Sequence, residues 1–338
     1  MLTFKKAAVF TDLHLGAKGN SPVHNKDCED FVDWFIKKAK QNNCETGIFM
    51  GDFHHNRNNL NITTLNYSVS ILEKLSCSFE QFFFLIGNHD LYYKDKRDIH
   101  SIIFGKHIEG ITIVNSIVEN EDVAFVPWLV GDEWKTVQKI KSPVIFGHFE
   151  LPNFYMNALV KMPDTGLLNA SHFTNQQYVF SGHFHKRQHQ GKIHYIGNAF
   201  PHSYSDAWDD DRGMMIFDME NGKTPEFINW EDCPKYRTIT LSKLLENPTL
   251  YVREKTFLHI TIDIPLSYEE AYYIKDIFID EYKCREIALL HQGDNDEAES
   301  DVEIGEFESV DQIVIEEILD IKSDTFDQKV LLEIYENL

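Results

Sequence analysis

The chain has 338 residues, 43% of them hydrophobic and 25% charged, which is ordinary for a soluble globular protein and enough for a sizeable core. No stretch approaches the ~18 consecutive apolar residues of a membrane span, and no secretion signal is recognised at the N-terminus. The net charge of −22 at first argues against a nucleic-acid partner, but residues 294–338 hold 16 acidic and 2 basic side chains, so the acidity lies mainly in that segment.

The first third of the chain alternates apolar runs with amphipathic stretches. Apolar runs at 6–11, 46–50 and 81–86 predict buried strands. Between them, residues 27–41 and 62–75 carry apolar side chains at helical spacing. This strand–helix–strand–helix–strand order predicts an α/β layered domain with parallel strand pairing.

Beyond residue 110 the sequence becomes richer in strand-like runs, and a helix is predicted at 131–140. These runs suggest a second sheet packed on the first. The predicted fold is therefore a two-sheet β-sandwich flanked by helices. The runs lie at 111–118, 122–127, 143–147, 177–181, 192–196, 213–218 and 225–229.

The C-terminal part predicts a small α+β domain followed by a helical tail. Residues 235–250, which include Pro248, look like a connection. The alternation at 256–264 predicts a half-buried strand, and residues 268–282 predict a helix. The predicted bounds are 1–235 for the main domain, 236–292 for the small domain, 293–309 for an acidic linker and 310–338 for a helical segment.

Five short polar motifs each follow an apolar run, where a strand would end. Ligand sites in layered α/β folds gather at the carboxyl ends of strands, so five loops can bring these groups to one place. A single pair of this kind is weak evidence, but the whole set in this order predicts a functional metal site. The motifs are Asp12-Leu13-His14, Gly51-Asp52-Phe53-His54-His55, Gly87-Asn88-His89-Asp90, Gly147-His148 and Gly182-His183-Phe184-His185.

The residue types in these motifs suit a pair of divalent ions, because imidazoles and carboxylates together favour Mn²⁺, Fe²⁺ or Zn²⁺. Asp12 and His14 are two residues apart, so along a strand both point to the same side, and the same holds for His183 and His185. Asp52 is the natural bridge, since a carboxylate can bind two ions. Two ions about 3.5–4 Å apart can clamp a phosphate and stabilise charge on its leaving oxygen.

The Gly87 motif places two roles side by side. Asn88 offers a neutral carbonyl oxygen to a metal, whereas His89 can face the substrate, because adjacent side chains diverge on a tight loop. A protonated imidazole there can neutralise charge in the transition state or protonate the leaving group. Asp90 is predicted to orient His89. Histidines outside the motifs are expected to be structural or exposed, among them His24, His107, His172 and His259.

Together the motifs resemble the full signature of the calcineurin-like metallophosphoesterases, over residues 10–185. Within that superfamily the chain resembles the SbcD-type recombination nucleases, which have a histidine three positions after the bridging aspartate, as His55 is here. Those nucleases often read D-x-H-L-G, matched by Asp12–Gly16, and Tyr195–Pro201 resembles another of their segments, with Asn198 where serine is common. The compact size is similar to that of the T-even phage form of this subunit.

The resemblance implies a role for each motif residue. His89 would act on the phosphate, and His55 would support it or the leaving group. Mn²⁺ is the expected metal, with Mg²⁺, Fe²⁺ or Zn²⁺ as alternatives. The first ion would be held by Asp12, His14, Asp52 and His185, and the second by Asp52, Asn88, His148 and His183.

The resemblance also implies an assembly. Residues 236–292 would form a cap that directs double- or single-stranded DNA, and residues 310–338 would dock on the coiled coil of an SbcC-type ATPase. Family members are dimeric, so a homodimer is expected. Five widely spaced cysteines predict reduced thiols and a cytoplasmic location, the host cytoplasm if the chain is phage-encoded.

Basic residues just after three motifs are candidates for contact with the phosphate backbone of DNA, and the alternative is ordinary solvated loop charge. The expected function is an Mn-dependent DNA exo- and endonuclease that works with an ATPase in DNA end processing, recombination and repair. The alternatives are a small-molecule or cyclic-nucleotide metallophosphodiesterase and a non-catalytic scaffold of the same fold. The basic candidates are Arg57, Lys94, Lys96, Arg97, Lys186 and Arg187.

Overall fold

The computed structural model describes residues 4–156, 160–220 and 224–291, and the predicted linker at 293–309 and helical segment at 310–338 lie outside them. The strands, in chain order, are β1 (Lys6–Phe10), β2 (Thr46–Phe49), β3 (Gln81–Leu85), β4 (Ile111–Val114), β5 (Val118–Glu119), β6 (Val123–Val126), β7 (Val144–His148), β8 (Tyr178–Gly182), β9 (Gln188–Gln190), β10 (Ile193–Tyr195), β11 (Gly213–Asp218), β12 (Glu226–Asn229), β13 (Lys235–Thr240), β14 (Thr256–Ile262) and β15 (Glu286–His291). The α-helices are α1 (Ala17–Asn20), α2 (Pro22–Gln41), α3 (Ile62–Ser78), α4 (Leu241–Glu246), α5 (Pro248–Tyr251) and α6 (Tyr268–Asp280), and 3₁₀ helices lie at Ile103–His107, Gly131–Lys139, Ala170–His172 and Tyr204–Asp206.

Most of the described strands form two 6-stranded sheets, in the orders β12-β11-β1-β2-β3-β4 and β5-β6-β7-β8-β10-β9. Strands β1 to β4 run parallel, and so do β6, β7 and β8. Parallel neighbours need a long crossover, which α2 supplies between β1 and β2 and α3 supplies between β2 and β3. The predicted α/β fold with two packed sheets is confirmed.

The two sheets pack face to face through side chains that alternate along their strands. Val9, Met50 and Leu85 from the first sheet join one apolar cluster with Phe125 and Phe146 from the second, and all five are fully buried. Burying a large apolar side chain contributes about 1.5–3 kcal/mol. This layer therefore holds the two sheets, and the loops at their ends, in a fixed relation.

Helices α2 and α3 cover the other face of the first sheet. The helix predicted at 27–41 begins earlier, at Pro22, because the Ser21 side chain caps it and proline is favoured in a first turn. The apolar stripe of α2 packs on β1, with the ring centroids of Phe35 and Phe10 4.5 Å apart. None of the described helices is long and apolar enough to cross a membrane.

Two predictions of secondary structure need correction. Residues 235–250, predicted as a connection, contain strand β13 and two short helices. Charged side chains interrupt the apolar pattern of β13, yet Lys235 and Arg237 are buried there because both pair with Asp210. The helix predicted at 131–140 takes the tighter 3₁₀ form.

Strands β13, β14 and β15 form a parallel 3-stranded sheet, here called the C-terminal sheet. Helix α6 packs on it through Phe278, within a separate apolar cluster. Several polar contacts join the C-terminal sheet to the sandwich, among them the pairing of Lys235 and Arg237 with Asp210. The Arg285 guanidinium pairs with Asp27 on α2, and the Tyr236 hydroxyl donates to the carbonyl of His202 at 2.8 Å.

Candidate metal centre

The loops that follow β1, β2, β3, β7 and β8 converge at one edge of the sandwich and bring the predicted ligands together. Four of these residues, Asp12, His14, Asp52 and His183, have positive φ angles of 52°, 51°, 63° and 88°. Side-chain-bearing residues adopt this left-handed backbone at a cost of roughly 1–2 kcal/mol each. The sharp bends turn the side chains of separate loops toward a common centre.

The first cluster consists of Asp12, His14, Asp52 and His185. The Nε2 atom of His14 lies 3.2 Å from His185 Nε2, 3.9 Å from Asp12 Oδ1 and 3.8 Å from Asp52 Oδ2. Asp12, His14 and Asp52 are buried, whereas His185 is half-buried. The four side chains therefore point their donor atoms into one small space that opens on the His185 side.

The second cluster consists of Asp52, Asn88, His148 and His183. The Asn88 Oδ1 atom lies 2.9 Å from His148 Nε2, 3.0 Å from His183 Nδ1 and 3.2 Å from Asp52 Oδ2. His148 Nε2 and Asp52 Oδ2 are 3.4 Å apart. One atom, Asp52 Oδ2, thus belongs to both clusters.

The donors of the two clusters fit a pair of divalent ions. Donor atoms bound to one ion at about 2.1 Å lie roughly 3.0–3.4 Å apart, close to the separations in the second cluster. The Asn88 oxygen faces one carboxylate oxygen and two imidazole nitrogens, and a cation among them, a 180° rotation of the amide or a proton on a ring nitrogen would each satisfy this arrangement. Carboxylates, imidazoles and one amide oxygen together suit borderline ions such as Mn²⁺ or Zn²⁺.

Neighbouring groups fix the orientation of several donors. The His148 Nδ1–H donates to the Met50 carbonyl at 2.7 Å, which leaves Nε2 to face the second cluster. The Thr11 hydroxyl donates to Asp12 Oδ2 at 2.6 Å. Burial alone would raise the pKa of Asp52, but the His148 imidazole beside it holds that pKa well below its usual value. Asp52 is therefore a carboxylate, as a bridging ligand must be.

His89 lies beside the first cluster with its ring held in place. Its backbone N–H donates to Asp52 Oδ1 at 2.8 Å, and its Nδ1–H donates to the His55 carbonyl at 2.8 Å. The ring stacks on that of His55, with centroids 5.6 Å apart and planes 15° from parallel. One ring nitrogen each of His14, His55 and His89 lies within 4.8 Å of the others. The Nε2 atom of His89 is thus left to face the centre.

Asp90 does not play the predicted part of orienting His89. Its carboxylate instead accepts from the backbone N–H groups of Asp52, Phe53, His54 and Gly87, at 2.9–3.1 Å. A fully buried carboxylate needs such donors, because burial without them is costly. Asp90 therefore ties the loop after β2 to the loop after β3 and acts on the site through the backbone.

The glycines that precede the ligands leave room for them. A Cβ atom at Gly87 would lie 2.2 Å from Asp52 Oδ1, and one at Gly51 would lie 2.6 Å from His148 Nδ1. A Cβ at Gly182 would lie 2.9 Å from the same His148 atom. Each of these glycines therefore sits where the backbone of one loop passes directly against a ligand of another.

Two of the basic residues predicted to contact DNA have structural partners instead. Arg97 pairs with Glu133 and donates to the Trp128 carbonyl at 2.6 Å. Arg187 donates to Asn229 Oδ1 at 2.6 Å and to a backbone carbonyl, and burial lowers its pKa to about 10. These contacts occupy most of both guanidinium groups and so argue against the predicted contact with DNA, although Arg187 Nη2 has no hydrogen-bond partner among the described residues.

The other four basic candidates remain accessible. Lys94 and Lys96 are exposed, and Lys186 is half-buried. Arg57 reaches the candidate centre, with a guanidinium nitrogen 3.2 Å from the side-chain amide of Asn88. These side chains can meet an anionic substrate without breaking any buried ion pair.

Three side chains outside the predicted set border the clusters. Glu150 Oε1 lies 3.4 Å from His183 Nε2, and its position two residues after His148 was an available signal. The Trp128 ring lies 5.0 Å from the His183 ring, and no sequence pattern marks it. His202 lies beside the first cluster and directly follows a proline.

Residues 5–187 match the family profile of the calcineurin-like phosphoesterases. The chain is 25% identical over 226 residues to exonuclease subunit 1 of Enterobacteria phage T4, a match that spans 64% of this chain and 65% of that protein, just under two thirds of its length.

Two solved structures are also similar to this chain. A dimetal phosphatase from Danio rerio is 11% identical, with a TM-score of 0.37, and the match covers 63% of this chain and 92% of that one. The Pseudomonas putida nuclease MPE is 15% identical, with a TM-score of 0.29, and the match covers 65% and 87%.

Proposed function

This chain belongs to the calcineurin-like phosphoesterase family, and we propose that it is a metal-dependent DNA exo- and endonuclease with a two-metal centre. The observation that carries the proposal is the single Asp52 oxygen shared by two clusters, beside an imidazole that is free to meet a substrate. The similarity to a phage exonuclease subunit supports DNA as the substrate.

We assign the two clusters to two ions, with Mn²⁺ preferred and Mg²⁺, Fe²⁺ or Zn²⁺ as alternatives. When bound, the ions would supply Lewis acidity toward a phosphodiester and its attacking water. The chain's own part is to hold the donor atoms in fixed positions. Three of the four residues in each cluster are buried, which restricts their side chains. The proposed ligands are Asp12, His14, Asp52 and His185 for the first ion and Asp52, Asn88, His148 and His183 for the second.

We assign His89 as the residue that acts on the phosphate. Because its Nδ1–H is committed to the His55 carbonyl, Nε2 is the ring nitrogen that can exchange a proton with a phosphate oxygen or with the leaving oxygen. The stacked ring of His55 limits the rotation of His89 and so supports it. Asp90 contributes by fixing the backbone on which both metal-binding loops depend.

Contact with the DNA backbone is proposed for Arg57, Lys94, Lys96 and Lys186. Contacts of this kind position a duplex without reading its sequence, so we expect cleavage with little sequence preference. The C-terminal sheet, within the proposed capping domain at 236–292, would direct a DNA strand toward the candidate metal centre. Residues 1–235 form the proposed nuclease domain.

We further propose that the chain works as a homodimer in the cytoplasm, in DNA end processing, recombination and repair, with an SbcC-type ATPase bound through residues 310–338. The acidic segment at 293–309 would serve as the linker to that contact. Capture of the ATPase by the full chain, and its loss when residues 310–338 are deleted, is the expected result. Undiminished capture by the deleted chain would refute the assignment.

The function is tested with the full chain, Mn²⁺ and a linear DNA duplex. We expect cleavage that depends on the metal. The His89→Ala variant should retain two bound Mn²⁺ ions and cleave about 10²–10⁴-fold more slowly, because an acid–base group contributes that much. His107→Ala, which removes an exposed imidazole outside the centre, is the control and should cleave normally.

The other outcomes each point elsewhere. Normal cleavage by His89→Ala would remove its assigned role. Hydrolysis of bis-p-nitrophenyl phosphate without cleavage of DNA would favour a small-molecule phosphodiesterase. Two bound ions without hydrolysis of either substrate would indicate a scaffold that lacks catalysis.

A further inference from the structure

The turn after β10 carries an imidazole, His202, that is packed against the first cluster. Its ring centroid lies 5.5 Å from that of His14 and 5.4 Å from those of His185 and His24. One ring nitrogen each of His14, His185 and His202 lies within 4.8 Å of the others. A third imidazole thus stands at the same centre as two proposed ligands.

One ring nitrogen of His202 is buried without a hydrogen-bond partner. The residue is only 9% exposed, and its Nε2 atom is buried without a hydrogen-bond partner. Leaving a buried polar atom unpaired costs about 1–3 kcal/mol. His24, the neighbouring histidine, differs because its Nε2–H donates to the His14 carbonyl at 2.9 Å. Packing alone therefore explains His24 but not His202.

The backbone of His202 is anchored on both sides. Its N–H donates to Asp206 Oδ2 at 2.9 Å, and Asp206 pairs with the buried Arg212. Its carbonyl accepts from the Tyr236 hydroxyl at 2.8 Å. Because its backbone is held by these contacts, the His202 imidazole stays next to the first cluster.

We propose that His202 is an additional ligand of the first ion, next to His14 and His185. The proposal rests on the two-metal centre of the proposed function. Donors on opposite sides of an ion with 2.1 Å bonds lie roughly 4.2 Å apart, so a nitrogen within 4.8 Å of two other donors reaches the ion with shifts of a few tenths of an ångström. A third imidazole makes the first site more selective for Mn²⁺, Fe²⁺ or Zn²⁺ over Mg²⁺.

The test compares His202→Phe with His100→Phe in the full chain. His100 is also buried, and both its ring nitrogens lack a partner, but it lies in none of the clusters. Equilibrium dialysis against Mn²⁺ with metal analysis gives the number and affinity of the sites. We expect His202→Phe to weaken one site at least tenfold and to spare the other, whereas His100→Phe should bind as the unaltered chain does.

Several results would overturn the proposal. Two sites of unaltered affinity in folded His202→Phe would do so, and so would equal weakening of both sites, which indicates a packing role. If the variant fails to fold, a crystal of the unaltered chain soaked in Mn²⁺ decides, and an ion more than 3 Å from both ring nitrogens of His202 refutes the assignment. An unaltered chain that binds no ion would refute the proposed function instead.

Discussion

At Gly87 the backbone lies outside the left-handed region, so glycine is needed there for space and not for conformation. The side chain that would collide with an added Cβ is Asp52, the proposed bridge between the two ions. The Asp52 amide nitrogen lies only 2.3 Å from the same point, so the backbone cannot give way either. A single added methyl group at this residue must displace the centre of the site.

Gly87→Ala is therefore expected to weaken binding of Mn²⁺ at both sites and to lower DNA cleavage at least 100-fold. Overpacking of this kind costs about 1–3 kcal/mol of stability, so most of the chain should remain folded. Equilibrium dialysis, cleavage kinetics and thermal unfolding measure the three effects.

Gly105→Ala is the matched control, because Gly105 also lies outside the left-handed region. A Cβ there would meet the side-chain methyl groups of Ile113 and Ile102 at 3.1 and 3.2 Å, and these can move. We expect its metal binding to be unaltered. If Gly87→Ala binds Mn²⁺ as well as this control does, the close contacts at Gly87 do not matter for metal binding.

For single residues, the short motifs predicted which side chains come together. The donor atoms of Asp12 and His14 lie in the first cluster, and those of Asn88 and His148 lie in the second. A residue's contacts were not predictable where they depend on a partner far along the chain. Asp90 follows His89 directly, yet its carboxylate binds backbone groups of the loop after β2.

At the scale of elements, the apolar runs predicted strands well because a strand buried on both faces needs little polar alternation. Strand β13 was predicted as part of a connection that includes Pro248, because its lysine and arginine leave no continuous apolar run. Their burial depends on Asp210, which lies 25 residues before Lys235, and no local pattern shows such a pairing. Arg97 and Arg187 were assigned to DNA for the same reason.

Arg97→Ala gives an element-level test of this correction. The side chain joins the loop after β3 to the 3₁₀ helix that holds Glu133, and it is only 11% exposed. Removing it strands a partly buried carboxylate and two carbonyl groups, so we expect a loss of about 2–3 kcal/mol in the free energy of unfolding, measured with urea.

Lys96→Ala, one residue away and exposed, should change that free energy by less than about 0.5 kcal/mol. Both variants should also be assayed for DNA affinity as a function of salt. A fully stable Arg97→Ala protein with a reduced salt dependence of binding would restore Arg97 to the DNA-contacting residues.

At the scale of the whole molecule, the proposed ligands come from both sheets of the sandwich. Asp12, Asp52 and Asn88 follow strands of the first sheet, whereas His148 ends β7 and His183 follows β8 in the second. A bound ion would therefore cross-link the two sheets at their loop edge, in addition to the apolar layer between them.

We accordingly expect removal of both proposed ions with EDTA to lower the thermal unfolding temperature by roughly 10–20 °C. Each ion at 100 times its dissociation constant contributes about 2.7 kcal/mol to the free energy of unfolding. Each kcal/mol shifts the unfolding temperature of a domain of this size by about 2–4 °C. Asp52→Asn, which removes the shared carboxylate charge, should respond little to either EDTA or Mn²⁺. An unaltered chain whose unfolding temperature ignores Mn²⁺ would contradict the cross-link.

Tyr236 links the C-terminal sheet to the turn that carries His202. Its hydroxyl donates to the His202 carbonyl and also contacts Lys18. Its ring stacks on Phe257 in the next strand, with centroids 4.7 Å apart. Any swing of the C-terminal sheet about β13 would pull on the turn that leads to the first cluster. Tyr236 thus couples the position of the C-terminal sheet to that of the turn that carries His202.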